Sequence, residues 1–152
     1  MDLASLARPE LVFPALPGTD RATVIQALAE RLAAQGLVAS AEELYQKVWE
    51  REQLGTTGIG AGVAIPHCKM KGLPRALLAI GVTSRGIDFA AVDAQPVRLL
   101  FLVVSPSESP AEHLQVLAAI SRWVKADRHV ERLLAVANDR QGIFTLLQEP
   151  SA

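Results

Sequence analysis

The reactive possibilities of this 152-residue chain rest on three histidines, one cysteine and a run of glycines. His67 ends the segment Gly55-Thr-Thr-Gly-Ile-Gly-Ala-Gly-Val-Ala-Ile-Pro-His67, in which four glycines fall within eight positions. Glycine at that density turns the chain tightly or lets another group approach the backbone closely. The segment is not a Walker A loop, because no Gly-Lys-Ser/Thr ends it. Nor is it a Rossmann fingerprint, because Val63 stands at the third glycine position and the segment leads into a strand instead of a helix. What remains is the histidine itself. A neutral imidazole, with an ordinary pKa of about 6.5, is a competent nucleophile near neutral pH, and Pro66 stiffens the chain that delivers it.

Other chemistries fit less well. A zinc site needs three or four ligands, whereas the sequence has no HExxH, no paired cysteines and only the adjacent His67 and Cys68, so no metal is expected. Strand alternation turns Cys68 away from His67, and no second cysteine could resolve an oxidised form. His129, in KADRHVERL, is expected to be solvated on a surface helix and is assigned no role.

The elements that must position His67 alternate between helix and strand. The spacing of Val24, Ile25, Leu28 and Leu32 predicts a helix over Asp20 to Gln35, stopped by Gly36. Ser40-Ala-Glu-Glu43 reads as a capping box opening a second helix with Leu44, Val48 and Trp49 on one stripe, running to Leu54. GVAIPH is expected as a short buried strand. ALLAIGVT (Ala76 to Thr83) and VRLLFLVV (Val97 to Val104) are apolar almost throughout, the mark of strands covered on both faces. Ser109-Pro-Ala-Glu112 reads as a second capping box with proline at N1, followed by an apolar series at Leu114, Leu117, Ile120 and Val124. Asp127 and Asp139 are candidate caps for further short helices. The resulting expectation is an α/β, three-layer sandwich: a largely buried β-sheet, expected to be mixed, with helices on both faces. Residues 1–152 read as one domain, since no repeat, low-complexity tract or linker divides them.

Fifteen basic residues balance sixteen acidic ones, so no broad basic face is available for a nucleic-acid backbone. The N-terminus lacks the basic and apolar regions of a signal peptide. No apolar run approaches the ~18 residues of a membrane span, so neither nucleic acid nor membrane insertion is expected. With a single cysteine, this is the profile expected of a cytoplasmic protein.

The run TGIGAGVAIPH, preceded by the arginine of WEREQLG and followed by the histidine of SPAEHL, resembles the IIA domains of the phosphoenolpyruvate-dependent phosphotransferase system, of the fructose/mannitol and nitrogen-regulatory class. The likeness runs from about Leu11 to Leu147, and REQLGTTGIG and FAAVDAQPVRLLFLVVSP read closest to the nitrogen-regulatory branch. It implies that His67 takes a phosphoryl group from the histidine phosphocarrier protein, with Arg51 and His113 beside it, and that no metal ion or nucleotide cofactor is needed. Phosphoryl transfer asks a protein mainly for positioning and charge stabilisation. Arg51 offers a permanently charged planar fork, and His113 falls in the first turn of a helix, where an anion is favoured. Gly58, Gly60, Gly62 and Pro66 are expected to shape the phosphoryl pocket, and Lys69 and Lys71 could attract an acidic or phosphorylated partner. Two residues depart from the family pattern: Ala61, where asparagine or another polar residue is common, and Cys68, where glycine or proline is common.

The resemblance is compatible with two outputs. The phosphoryl group passes in trans to a IIB domain for sugar transport, or it marks a regulatory module that docks on a transporter or kinase. Arg51, His67 and His113 together argue against a family member that keeps the fold without the transfer.

Overall fold

The computed structural model describes residues 2–126 and 128–150. Its centre is a pair of antiparallel strands, β5 (Leu77–Ile87) and β6 (Val97–Pro106). Both are apolar on successive residues because both faces of the sheet are covered. In β6, Leu99, Phe101 and Val103 point to one side while Leu100, Leu102 and Val104 point to the other. The first set packs under α4 (Pro110–Lys125), α5 (His129–Leu134) and α6 (Arg140–Leu147), against Val116, Ile120, Trp123 and Ile143. The second packs under α2 (Arg21–Ala34) and α3 (Ala41–Gln53), against Val24, Leu28, Leu44 and Val48. The short α1 (Leu3–Leu6) precedes them. Phe101, fully buried at the middle of this sandwich, is a position where truncation to alanine costs about 3–5 kcal/mol.

The sheet is mixed, as expected. β1 (Val12–Phe13) lies parallel to β5 at one edge. Beyond β6 come β3 (Val63–Ala64) and β4 (His67–Met70), both parallel to β6, and β2 (Gly58–Gly60) runs antiparallel to β3. The GVAIPH strand is therefore interrupted. Its register with β6 is unbroken, Ala64 facing Leu100 and His67 facing Val103. Between them Pro66 has no N–H for the ladder and contributes only its carbonyl, which accepts from Val103 N–H at 3.0 Å.

Caps place the helix starts. Asp20 and Thr23 form a reciprocal box at α2, Gly36 follows α2 with φ +74°, and Ser40 Oγ accepts from Glu43 N–H at 3.1 Å to open α3.

Several expectations are corrected. Ser109 makes no side-chain cap to α4; Glu112 instead accepts from Ala76 N–H at 2.8 Å, tying the first turn of α4 to the start of β5. Ile120 is buried on α4 as anticipated, but its companions on the buried stripe are His113, Val116 and Trp123; Leu117 and Val124 are only partly buried and Leu114 is 67% exposed. Asp139 stands at the N-cap of α6 without a side-chain cap bond, and Asp127 lies outside the described residues. His129 is not solvated. It is fully buried, its ring stacks on Trp123 at 4.5 Å, and its Nδ1–H donates to Trp123 O at 2.8 Å. Among the described residues no helix is long and apolar enough to cross a membrane.

Candidate active site

The site forms where the end of α3, strand β4 and the start of α4 meet. Arg51 sits in the last turn of α3, its Nη1 donating to Gly55 O at 3.0 Å. The next residue, Glu52, turns inward: its buried carboxylate accepts from Thr57 N–H at 2.9 Å and from Thr57 Oγ1–H at 2.6 Å, with Arg21 Nη1 at 3.5 Å. This carboxylate fastens the helix end to the glycine segment. Buried polar groups are rarely left without partners, and here both donors of Thr57 are served by one side chain.

The glycines then make the hairpin between β2 and β3. Gly60, Ala61 and Gly62 all have positive φ, at +98°, +57° and +80°, and Ala61 N–H donates to Asp93 Oδ2 at 3.0 Å. Gly58 is needed for space: a Cβ there would lie 2.8 Å from Ala91 Cβ. The hairpin thus packs on the segment around Phe89 to Asp93, with Thr56 Oγ1 donating to Phe89 O. Its chemical consequence is where the chain goes next, through Pro66 to His67.

On β4, Cys68 and Met70 pack into the core beneath α2 and α3, while Lys69 is exposed. His67 Nδ1 lies 2.6 Å from Ile65 O. A carbonyl oxygen can only accept, so Nδ1 carries the hydrogen and Nε2 keeps its lone pair. The ring of His113 stands opposite, centroids 5.2 Å apart and planes tilted by 55°. Its Nδ1 lies 2.7 Å from Oγ of Ser105, a fully buried residue on β6.

A cleft of about 560 Å³ joins these groups, with Lys47, Arg51 and Leu54 on the α3 side and His67, Lys69 and His113 opposite; Glu50 and Cys68 complete its wall. Three cations face one carboxylate, so the cleft favours an anion. Burial lowers the pKa of His67, outweighing the opposing hydrogen bond to Ile65, and Arg51 and Lys69 lower it further. His113 is pushed down to about 4, by burial first and then by His67, Lys69 and Arg51. Both imidazoles are therefore neutral at neutral pH. His113 brings no resting charge, and its backbone N–H is already donated to Ser109 O at 3.3 Å, so only the ring is available to a bound anion. Burial pushes the Cys68 thiol up to about 12, which removes it as a nucleophile.

Arg51, His67 and His113, far apart in sequence, meet in this cleft, and Lys69 joins them. Gly58, Gly60, Gly62 and Pro66 do not line it, and Lys71 lies in the turn after β4. Sequence reasoning missed Lys47 and Leu54, although their spacing with Arg51 at i, i+4 and i+7 puts all three on one stripe running from α3 into its C-cap residue. It also missed Ser105 and Glu52, a serine inside an apolar run and a glutamate among charges, and neither carries a local signal. Among the described residues no three His, Cys, Asp or Glu side chains gather as metal ligands.

Comparison with known proteins agrees with this geometry. Residues 5–149 match the family model described as phosphoenolpyruvate-dependent sugar phosphotransferase system, EIIA 2. The chain is 36% identical over 152 residues to a nitrogen regulatory protein of Bradyrhizobium diazoefficiens, covering 100% of this chain and 98% of that one. It is 31% identical over 148 residues to a phosphotransferase-system fructose-specific EIIA component of Haloferax volcanii, covering 97% and 96%. The crystal structure of the nitrogen regulatory protein IIA-Ntr from Neisseria meningitidis superposes with a TM-score of 0.86 at 25% identity, covering 95% of this chain and 98% of that one. A match over nearly the whole chain, by sequence and by fold, makes this protein a member of the EIIA 2 family of phosphotransfer components.

Proposed function

We propose that this protein is a phosphohistidine carrier that accepts a phosphoryl group on His67 Nε2 from the histidine phosphocarrier protein and works as a nitrogen-type regulatory IIA protein. The observation that carries the reading is the bond from His67 Nδ1–H to Ile65 O, which leaves the Nε2 lone pair as the nucleophile of a cationic cleft. In the transfer, Nε2 forms the new N–P bond while the donor's P–N bond breaks, its electron pair returning to the donor ring. The ring of His67 gains positive character, and the Ile65 carbonyl on Nδ1–H stabilises it. Arg51, Lys47 and Lys69 supply charge to the phosphoryl oxygens. No metal or nucleotide enters the step.

The regulatory output is favoured by the relatives named as nitrogen regulatory proteins, at 36% identity by sequence and a TM-score of 0.86 by structure. A fructose-specific relative keeps the second reading in view, in which the group moves on to a IIB domain. Purified phosphoprotein mixed with a fructose-type IIB domain separates the two. Retention of the phosphoryl group, with capture of a transporter or kinase by one phosphorylation state alone, supports regulation. Discharge to the IIB domain within seconds supports sugar transport.

A further inference from the structure

His67 and His113 face one cleft, and their hydrogen-bond partners differ in kind. The partner of His67 Nδ1 is a carbonyl, which fixes that ring as the Nδ1–H tautomer. The partner of His113 Nδ1 is a serine hydroxyl, which can donate or accept. Burial decides between the two. Ser105 is fully buried on β6, beside Lys69 of β4 in the ladder, and His113 Nδ1 is its one side-chain hydrogen-bond partner among the described residues. If His113 carried its hydrogen on Nδ1, the Ser105 hydroxyl would accept, and its own proton would be buried with no acceptor. A buried donor left without a partner is costly, so the hydroxyl donates to Nδ1. His113 must then carry its hydrogen on Nε2. That nitrogen has no hydrogen-bond partner among the described residues and is not sealed in the interior, so it belongs to the cleft that His113 lines.

We infer that Ser105 is a positioning residue of the phosphoryl site: its buried hydroxyl locks His113 as the Nε2–H tautomer, so that a neutral His113 donates a hydrogen bond to a phosphoryl oxygen on His67. The two imidazoles are thereby held in opposite tautomers, one presenting a lone pair to phosphorus and the other an N–H to oxygen. The second part of this inference rests on phosphorylation of His67; the tautomer does not. Because His113 is neutral, charge cannot stand in for the tautomer: with the hydrogen on Nδ1, His113 would turn a lone pair toward an anionic oxygen and repel it.

The test has two arms, both on the full-length chain. Long-range 1H–15N correlation spectra of the unphosphorylated protein read the tautomer directly, with His113 assigned by its disappearance in His113→Gln. The expected pattern is Nδ1–H for His67 and Nε2–H for His113 at pH 7. An Nδ1-protonated His113 in the wild type overturns the inference without any donor being present. In Ser105→Ala, the His113 signals shift toward a mixed tautomer, and phosphoryl transfer from the phosphocarrier protein slows roughly tenfold, as expected when a hydrogen bond to a charged group is weakened. A variant that keeps the pure Nε2–H tautomer and transfers within twofold of wild type also overturns it. If Ser105→Ala fails to fold, the wild-type spectrum alone decides. If wild-type protein is never phosphorylated while His113 is Nε2-protonated, the proposed function fails and the assignment to Ser105 stands.

Discussion

Ala61 is the residue of the hairpin least suited to its backbone. It holds φ +57° between two glycines that also have positive φ, and its N–H is tied to Asp93 Oδ2 at 3.0 Å. An L-residue in this left-handed region pays about 1–2 kcal/mol, chiefly from Cβ against the following carbonyl. Glycine removes that penalty and returns roughly 0.5–1 kcal/mol of it through the greater freedom of the unfolded chain. Ala61→Gly should therefore stabilise by about 0.5–1 kcal/mol. In a chain of this length that raises the melting temperature by about 1–4 °C. Ala61→Asn, which tolerates the left-handed region, should stabilise similarly, while Ala61→Val should destabilise, because a branched Cβ is worst there. Thermal and urea unfolding of the three variants read the signs. The hairpin does not line the cleft, so acceptance of a phosphoryl group should be unchanged in Ala61→Gly. The reasoning is refuted if glycine destabilises while valine is tolerated; a tenfold loss of acceptance in a stable Ala61→Gly would show that the loop touches the phosphoryl group.

The buried carboxylate of Glu52 serves both donors of Thr57, so Glu52→Ala should cost about 2–3 kcal/mol in urea unfolding, and Glu52→Gln, which keeps one acceptor, less. The fold prefers His113 neutral, down to about 4, whereas an unfolded histidine takes up its proton near 6.5, so stability is full above pH 6.5 and is lost as pH falls toward 4. At about 1.4 kcal/mol per pH unit the ceiling is about 3 kcal/mol, which water in the cleft reduces to roughly 1–2, and His113→Gln should flatten that part of the pH–stability curve. Phosphorylation should move the His113 midpoint upward from about 4 yet leave it below neutral pH, since an anion beside a base favours its protonated form while the Ser105 hydroxyl on Nδ1 favours the neutral one; NMR titration of both states measures this. Cys68, pushed up to about 12, should resist iodoacetamide in native protein at pH 8 and react readily in urea.

Patterns that repeat locally were readable in the sequence. The two apolar runs gave β5 and β6, apolar spacing ending at Gly36 placed α2, the Ser40 cap placed α3, and the glycine run announced a tight approach to His67. Features set by tertiary contacts were not. At the start of α4, Leu114 stays in solvent while His113 packs against β6, and hydrophobicity alone ranks them the other way, although Ile120 falls on the buried face as anticipated. His129 looked solvated because its neighbours are charged. In the six-residue α5 no period is long enough to show that one residue turns inward to stack on Trp123. At the site, the resemblance named Arg51, His67 and His113, but the chemistry of each ring depends on what its Nδ1 touches. Ile65 O and Ser105 Oγ are fixed by the strand register, which composition and spacing do not contain.

The central claim is that His67 Nε2 is the phosphoryl acceptor. Incubation with enzyme I, the histidine phosphocarrier protein and phosphoenolpyruvate, followed by intact mass measurement, tests it most directly. Wild-type protein should gain the mass of one phosphoryl group, about 80 Da by stoichiometry, lost on mild acid treatment as a phosphohistidine is, and His67→Ala should gain none. A His67→Ala protein that gains the same mass as wild type would contradict the account.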